Sequence, residues 1–206
     1  RVHYFELLYA YYHAFHQMNV AVDVINPSSN VSEYRVIVAP LLHMLRPGVA
    51  ANLTQFVERG GILLTTFFSG IVDENDHVGL GGYPKELRKL LGIHIEEIDP
   101  WAPGMINEVV VKEGALAGTY PCDLWGELIH LEGAQAIGVF ANDYYANSAA
   151  LTVNQFGEGR AYYIATQGSE ELTTKLIREL CREAPITSTL QTSADVEVTR
   201  RIQSTG

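Results

Sequence analysis

The order in which apolar runs alternate with a helical pattern constrains this chain more than any other feature. Arg35-Val36-Ile37-Val38-Ala39 is an almost wholly apolar run stopped by Pro40, and residues 62–66 form a second one. Between them Pro47 stands where a helix begins. Val49, Leu53, Phe56 and Val57 give that helix a buried stripe, and Gly60-Gly61 ends it. Short apolar runs of this kind suit parallel strands covered on both faces. Upstream, Tyr4, Leu7, Leu8, Tyr11, Phe15 and Met18 recur at helical spacing over residues 3–18, and Asn19 supplies the stop. Residues 20–25 then read as a strand, closed by Asn26-Pro27-Ser28-Ser29-Asn30. Helix, strand, strand, helix, strand is the grammar of an open α/β sheet. The expectation is an α/β fold: a three-layer, open, mostly parallel sheet with helices on both faces, its first strand lying upstream of Arg1.

Beyond residue 66 comes a loop rich in glycine and acid, FFSGIVDENDHVGLGG, and a short helix over 84–91. Residues 93–98 alternate with period two and predict a strand exposed on one face. Weaker strand signals follow at 107–111, 134–140 and 149–153, and Gly157-Glu158-Gly159 turns 153–156 into 160–165 as a hairpin. Ser169 can cap a helix reaching Arg182, with Glu170 and Glu171 in its first turn. After Pro185 the chain becomes rich in serine and threonine, with one alternating run at Val196-Glu197-Val198. Residues 1–186 therefore read as one domain, and 187–206 as a linker plus the first strand of a truncated further domain.

Fourteen basic residues stand against 24 acidic ones, a net charge of −10. A nucleic-acid partner needs a basic face, and an anionic membrane surface needs the same, so both are disfavoured. No apolar run approaches a membrane span, no signal-peptide pattern opens the chain, and the first residue is not methionine. The reading is a piece of a longer cytoplasmic protein. Cys122 and Cys181 are the only cysteines, too few for a zinc site or a disulfide framework, so free thiols are expected.

Each chemistry-bearing pattern has a weaker claim than its bland alternative. Gly79-Leu80-Gly81-Gly82 matches neither phosphate-binding glycine motif and follows an acidic loop. His13 and His16 are three apart on a helix, but no carboxylate joins them at helical spacing, so no metal is expected. Asp73-Glu74-Asn75-Asp76 has the composition of a calcium loop, yet His77 takes the third alternating position. A nucleophile belongs in the loop after residues 62–66, at the carboxyl end of a strand. That loop offers Ser69 with His77 near it only in sequence, and Cys122 sits in an apparent loop without a base. Glu74, Glu96, Glu97 and Glu127 are candidate glycosidase acids, but Glu96 and Glu97 point to opposite faces of an extended strand. No catalytic residue and no cofactor is assigned. Aromatics are prominent instead, 11 tyrosines, 7 phenylalanines and 2 tryptophans, which points to a subunit interface.

The segment Phe68-Ser69-Gly70-Ile71-Val72-Asp73-Glu74-Asn75-Asp76, followed by Gly81-Gly82-Tyr83-Pro84 and Leu90-Leu91-Gly92-Ile93, resembles the trimerisation domain of glycoside hydrolase family 42 β-galactosidases. Tyr11-Tyr12-His13-Ala14-Phe15, Val38-Ala39-Pro40 and Asn154-Gln155-Phe156-Gly157-Glu158-Gly159-Arg160 extend the likeness over residues 1–186. The resemblance implies a class I glutamine amidotransferase-like (flavodoxin-like) fold without its nucleophile, the Phe67-Phe68-Ser69 region standing where the elbow cysteine would be. It implies that both catalytic glutamates lie in a barrel upstream, and that the domain builds a homotrimer beside a galactoside pocket. Phe67, Phe68, Ser69, Asp73, Glu74, Asn75, Asp76 and Tyr83 are the candidates for the interface or the substrate rim. Two other readings compete: a free-standing amidotransferase-like hydrolase using Ser69 or Cys122, and a carbohydrate-binding module using Trp101 or Trp125.

Overall fold

A computed structural model describes residues 3–188 together with 190, 196 and 198. Most of the expected run at 187–206 lies outside the described residues. The chain opens with α1 (Tyr4–His16), β1 (Val36–Ala39), β2 (Met44–Leu45), α2 (Val49–Glu58), β3 (Ile62–Thr66) and β4 (Val72–Asp73). A 3₁₀ turn (Lys85–Leu87) runs into α3 (Arg88–Leu91). Six longer strands follow: β5 (Ile93–Pro100), β6 (Ile106–Val111), β7 (Gly118–Asp123), β8 (Trp125–Leu131), β9 (Gln135–Phe140) and β10 (Ala149–Phe156). β11 (Gly159–Ile164), β12 (Gln167–Gly168) and α4 (Glu170–Glu183) complete the fold.

The main sheet has the order β1-β3-β11-β10-β9-β6-β7-β12, while β2 pairs with β4 and β5 with β8. Only β1, β3 and β11 run parallel; every other neighbour in that sheet is antiparallel. The fold is α/β, but the expected predominance of parallel pairing does not hold. The reason is local: hairpins and short returns after β5 close neighbouring strands without crossover helices.

The parallel half explains its own sequence. Every residue of β3 is buried, as a central strand flanked by β1 and β11 requires. Successive residues of β11 face opposite sides: the Tyr162 hydroxyl donates to Glu183 of α4, and the Tyr163 hydroxyl donates to Glu127 of β8. One face of the sheet thus meets α4, on which α1 packs, and the other meets the β5–β8 ribbon. Ser169 caps α4 by accepting from the Leu172 amide. Asn19 stops α1 in the left-handed region, as its sequence position suggested.

Two stretches read differently in the structure. Residues 20–25 form no strand, because no neighbouring backbone among the described residues offers them a ladder. Residues 120–124, read as the loop around Cys122, lie almost wholly in β7 (Gly118–Asp123), which is paired on both sides by β6 and β12. The proline at 121 and the acid at 123 hid that strand, since both are depleted from strands.

The loop after β3 is closed at its neck. Gly70 has φ +65°, and a Cβ there would lie 2.6 Å from the Pro84 carbonyl oxygen. Gly70→Ala combines backbone strain with that clash, and should lower unfolding free energy by about 2 kcal/mol or more in urea titration.

Candidate functional site

The expected site is the turn that leaves β3. Phe67 and Ser69 are wholly buried, and Phe68 between them takes φ +62°, a conformation an L-residue adopts only under constraint. The constraint is Glu127. This glutamate has no solvent exposure, and its Oε1 accepts from the Phe68 amide at 2.8 Å and from Trp125 Nε1 at 3.2 Å. Its Oε2 accepts from the Tyr163 hydroxyl at 2.6 Å. Phe68 is held further by its ring, 4.9 Å from Trp125 and 4.4 Å from His43 between centroids. A buried carboxylate therefore ties the turn after β3 to β8 and β11.

Burial pushes the Glu127 carboxyl up to about 7, against the opposing pull of its three donors. The same burial and the neighbouring carboxylate drive Tyr163 far above its ordinary value. Oε2 faces a hydroxyl that can reverse its own hydrogen, so an added proton has an acceptor ready.

Ser69 is not arranged as a nucleophile. Its Oγ accepts from the Leu42 amide at 3.0 Å and shares a 2.9 Å hydrogen bond with Thr65 Oγ1. His77, its only nearby imidazole in sequence, pairs instead with Asp73 at 3.6 Å. Cys122 is buried in β7, and burial raises its thiol to about 12; Cys181, also buried and free, rises to about 11. Neither thiol has the lowered pKa of a reactive cysteine. The tryptophans do not form a sugar platform either. Trp101 and Trp125 are both buried, Trp101 with its ring stacked on Tyr145.

The remaining candidates lie on the loop itself. Asp73 Oδ1 accepts from the amides of Asn75 and His77, which folds the tip back on itself and holds the Asp73 carboxyl below its usual range. Asp76 turns the chain with φ +60°, and Lys85 Nζ donates to the His77 carbonyl. Glu74, Asn75 and Asp76 are exposed and Tyr83 is half-buried. Phe67 and Ser69 cannot reach a partner at all; their place is to build the turn that presents the tip. Glu96 and Glu97 do not alternate, because a bulge between Ile95 and Glu97 leaves both exposed, with Glu96 meeting His130. Among the described residues no group of three or more His, Cys, Asp or Glu is placed to hold a metal ion. The structural role of Glu127 was missed in sequence because nothing marks an isolated glutamate in an apolar strand as a tie.

These features define an α/β domain in which the turn after the central parallel strand β3 holds a half-buried phenylalanine in the left-handed region, fixed by a buried glutamate. A sequence model described as the β-galactosidase trimerisation domain matches residues 1–187, and the chain belongs to that family. β-Galactosidase BgaA of Planococcus sp. (strain 'SOS Orange') is 46% identical over 198 residues, 95% of this chain and 29% of that protein. The crystal structure of a β-galactosidase from Bacillus circulans sp. alkalophilus superposes with a TM-score of 0.95 at 41% identity, covering 98% of this chain and 30% of that one. The β-galactosidase from Rahnella sp. R3 gives 0.90 at 37% identity, over 93% and 29%. The chain thus spans about three-tenths of the length of the relatives it matches.

Glu127 sets a pH dependence with a definite sign. Between the ordinary carboxyl value of 4.5 and about 7, the folded chain keeps a proton that the unfolded chain has lost. Stability therefore falls as pH rises through that window and levels off above it, by roughly 3 kcal/mol for this group alone. Glu127→Gln, which preserves the shape and an acceptor oxygen, should flatten the difference between urea denaturation at pH 5 and pH 8. Glu127→Ala strands three buried donors and should cost about 3 kcal/mol or more at either pH.

Proposed function

We propose that this chain is the non-catalytic oligomerisation domain of a longer β-galactosidase, a glycoside hydrolase acting on terminal β-D-galactosides, and that it assembles that enzyme as a homotrimer. The observation that carries the reading is Phe68. The one turn where this architecture presents a nucleophile holds an aromatic side chain wedged between His43 and Trp125, and the turn serves to aim a loop. The family description and the names of the relatives support the trimer and the parent activity. The catalytic carboxylates are then supplied by the part of the enzyme outside these residues. The loop tip, with Asp73, Glu74, Asn75, Asp76 and Tyr83, lines the contact between subunits and the rim of a neighbour's galactoside pocket.

The finer fold belongs to the same reading. The layered order around β1, β3 and β11 is supported by α4 and the ribbon on opposite faces, and it fits a class I glutamine amidotransferase-like arrangement. One more parallel strand then lies between β1 and residues 20–25. Two observations support it: the four apolar residues of β1 are all half-exposed at a sheet edge that no strand among the described residues covers, and Val24 is largely exposed in an apolar segment with no ladder among those residues. Residues 1–186 form the domain and 187–206 lead toward the next one. Two unpaired cysteines suit a reducing cytoplasm, and the acidic balance speaks against nucleic acid. No described helix is long and apolar enough to cross a membrane.

Light scattering across a dilution series tests the self-association. A stable species of about 68 kDa, three times the 22.8 kDa chain, is expected. A chain that stays monomeric on concentrating places the trimer contacts elsewhere in the enzyme. In the full-length enzyme, deleting residues 73–76 should lower either the assembled mass or the apparent substrate affinity; if neither moves, the tip is ordinary surface.

A further inference from the structure

Glu127 is a buried carboxyl group with no cation beside it. Its partners are dipoles: the Phe68 amide, the Trp125 indole and the Tyr163 hydroxyl. Tyr163 is the one titratable side chain among them, and it is held far above its ordinary value, so the proton that comes and goes is the carboxyl's. On β5 the residue opposite Glu127 is Ile98, and the acids Glu97 and Asp99 on either side of it alternate to the other face. β10, which also packs on β8, carries no charged residue. His43 stacks on the Phe68 ring, and no charged side chain is among the groups that move the Glu127 carboxyl. A carboxyl in such surroundings either keeps a proton or gains by meeting water.

The proton has one seat. Oε1 takes two N–H donors that cannot turn round, whereas Oε2 faces a single hydroxyl that can. The proton therefore sits on Oε2 and points at the Tyr163 oxygen. When it leaves, the ionised group is stabilised by any movement that admits solvent.

The shortest way to solvent is through Phe68. Tyr163 is fully buried in the sheet and Trp125 is only 9% exposed, while Phe68 is half-buried on a turn. Phe68 is also the strained member. Leaving φ +62° releases strain, and the movement breaks one hydrogen bond and the ring contacts with His43 and Trp125. The chain on either side is anchored: the Phe67 amide donates to the Ile164 carbonyl, the Gly70 amide to the Leu42 carbonyl and the Ile71 amide to the His43 carbonyl. Phe68 can thus swing while the loop beyond keeps its place.

We propose that Phe68 is a gate over Glu127 released by loss of a proton: with the carboxyl protonated its amide and ring close the turn, and with the proton gone Phe68 swings out and water reaches the carboxylate. Opening returns the carboxyl from about 7 toward its ordinary value of 4.5. Between those values opening releases one proton, so its equilibrium constant rises about tenfold per pH unit and levels off above them. The base of the loop then hides an aromatic ring in mild acid and presents it at higher pH, whatever the loop tip meets.

Amide hydrogen exchange in the full-length enzyme tests the gate, read as the ratio of wild-type to Glu127→Gln rates so that the intrinsic pH dependence cancels. At the Phe68 amide the ratio should rise about tenfold per unit from about pH 5 to pH 7 and then level off. The same amide should exchange at least about tenfold faster than those of Leu63 and Leu64 in β3, and unlike them should not quicken in urea below the unfolding transition. Tyr163→Phe removes a donor that lowers the Glu127 carboxyl, so it should move the levelling-off to higher pH. A flat ratio at Phe68 would overturn the gate. So would a Phe68 amide that matches Leu64 in rate and urea dependence, because the carboxylate would then meet water only on unfolding of the whole domain. Should Glu127→Gln fail to fold, the wild-type protection factor at Phe68, expected to fall about tenfold per unit over the same window, carries the same test.

Discussion

A carboxylate with no access to water holds this domain's central turn in place. Glu127 gathers the Phe68 amide, the Trp125 indole and the Tyr163 hydroxyl, and each donor belongs to a different part of the chain. Remove the acceptor and three buried donors are stranded together, so the arrangement is cooperative: the ribbon strand, the parallel sheet and the turn are placed by the same two oxygen atoms. The left-handed backbone at Phe68 follows from that tie. A bulky residue would leave such a conformation unless its amide and its ring were both fixed, and here the amide meets Glu127 and the ring is clasped by His43 and Trp125.

The same geometry shows what the turn after β3 presents. A sharp turn at the carboxyl end of a central strand is a place where a side chain can be presented under strain. Here the residue in the strained position is half-buried, its ring packed against His43 and Trp125, and the loop runs on beyond it. Glu74 and Asp76 at its tip are exposed, while Phe67 and Ser69 form its base.

Much of this was legible in the sequence, and the exceptions have physical causes. The helices at 4–16, 49–58 and 170–183 follow their apolar spacing, the last with its Ser169 cap, and β1 and β3 follow their apolar runs. Such signals are local, so a single sequence carries them. The antiparallel half was under-read because β7 contains Pro121 and Asp123, and β8 carries Glu127 and His130 among its apolar residues. Residues 20–25 have strand composition, but a strand exists only where another backbone lies alongside, and composition says nothing of that. Of the site residues, the exposed tip of the loop could be read from its polarity. The burial of Ser69 and the tie at Glu127 could not, since both depend on contacts from Leu42, Trp125 and Tyr163, far away in the chain.

The neck at Gly70 and Pro84 carries a consequence for how such a domain can change. Where the two ends of a loop touch, the length between them can vary without altering the distance the scaffold must span. The base of this loop is tied to the fold, since β4 pairs with β2 and Tyr83 bridges Ile95. Residues 74–77, beyond the Val72–Val78 bridge, are therefore a cassette. Insertions or a foreign peptide placed there would leave the Glu127 tie undisturbed, and the domain could acquire a new partner while keeping its core.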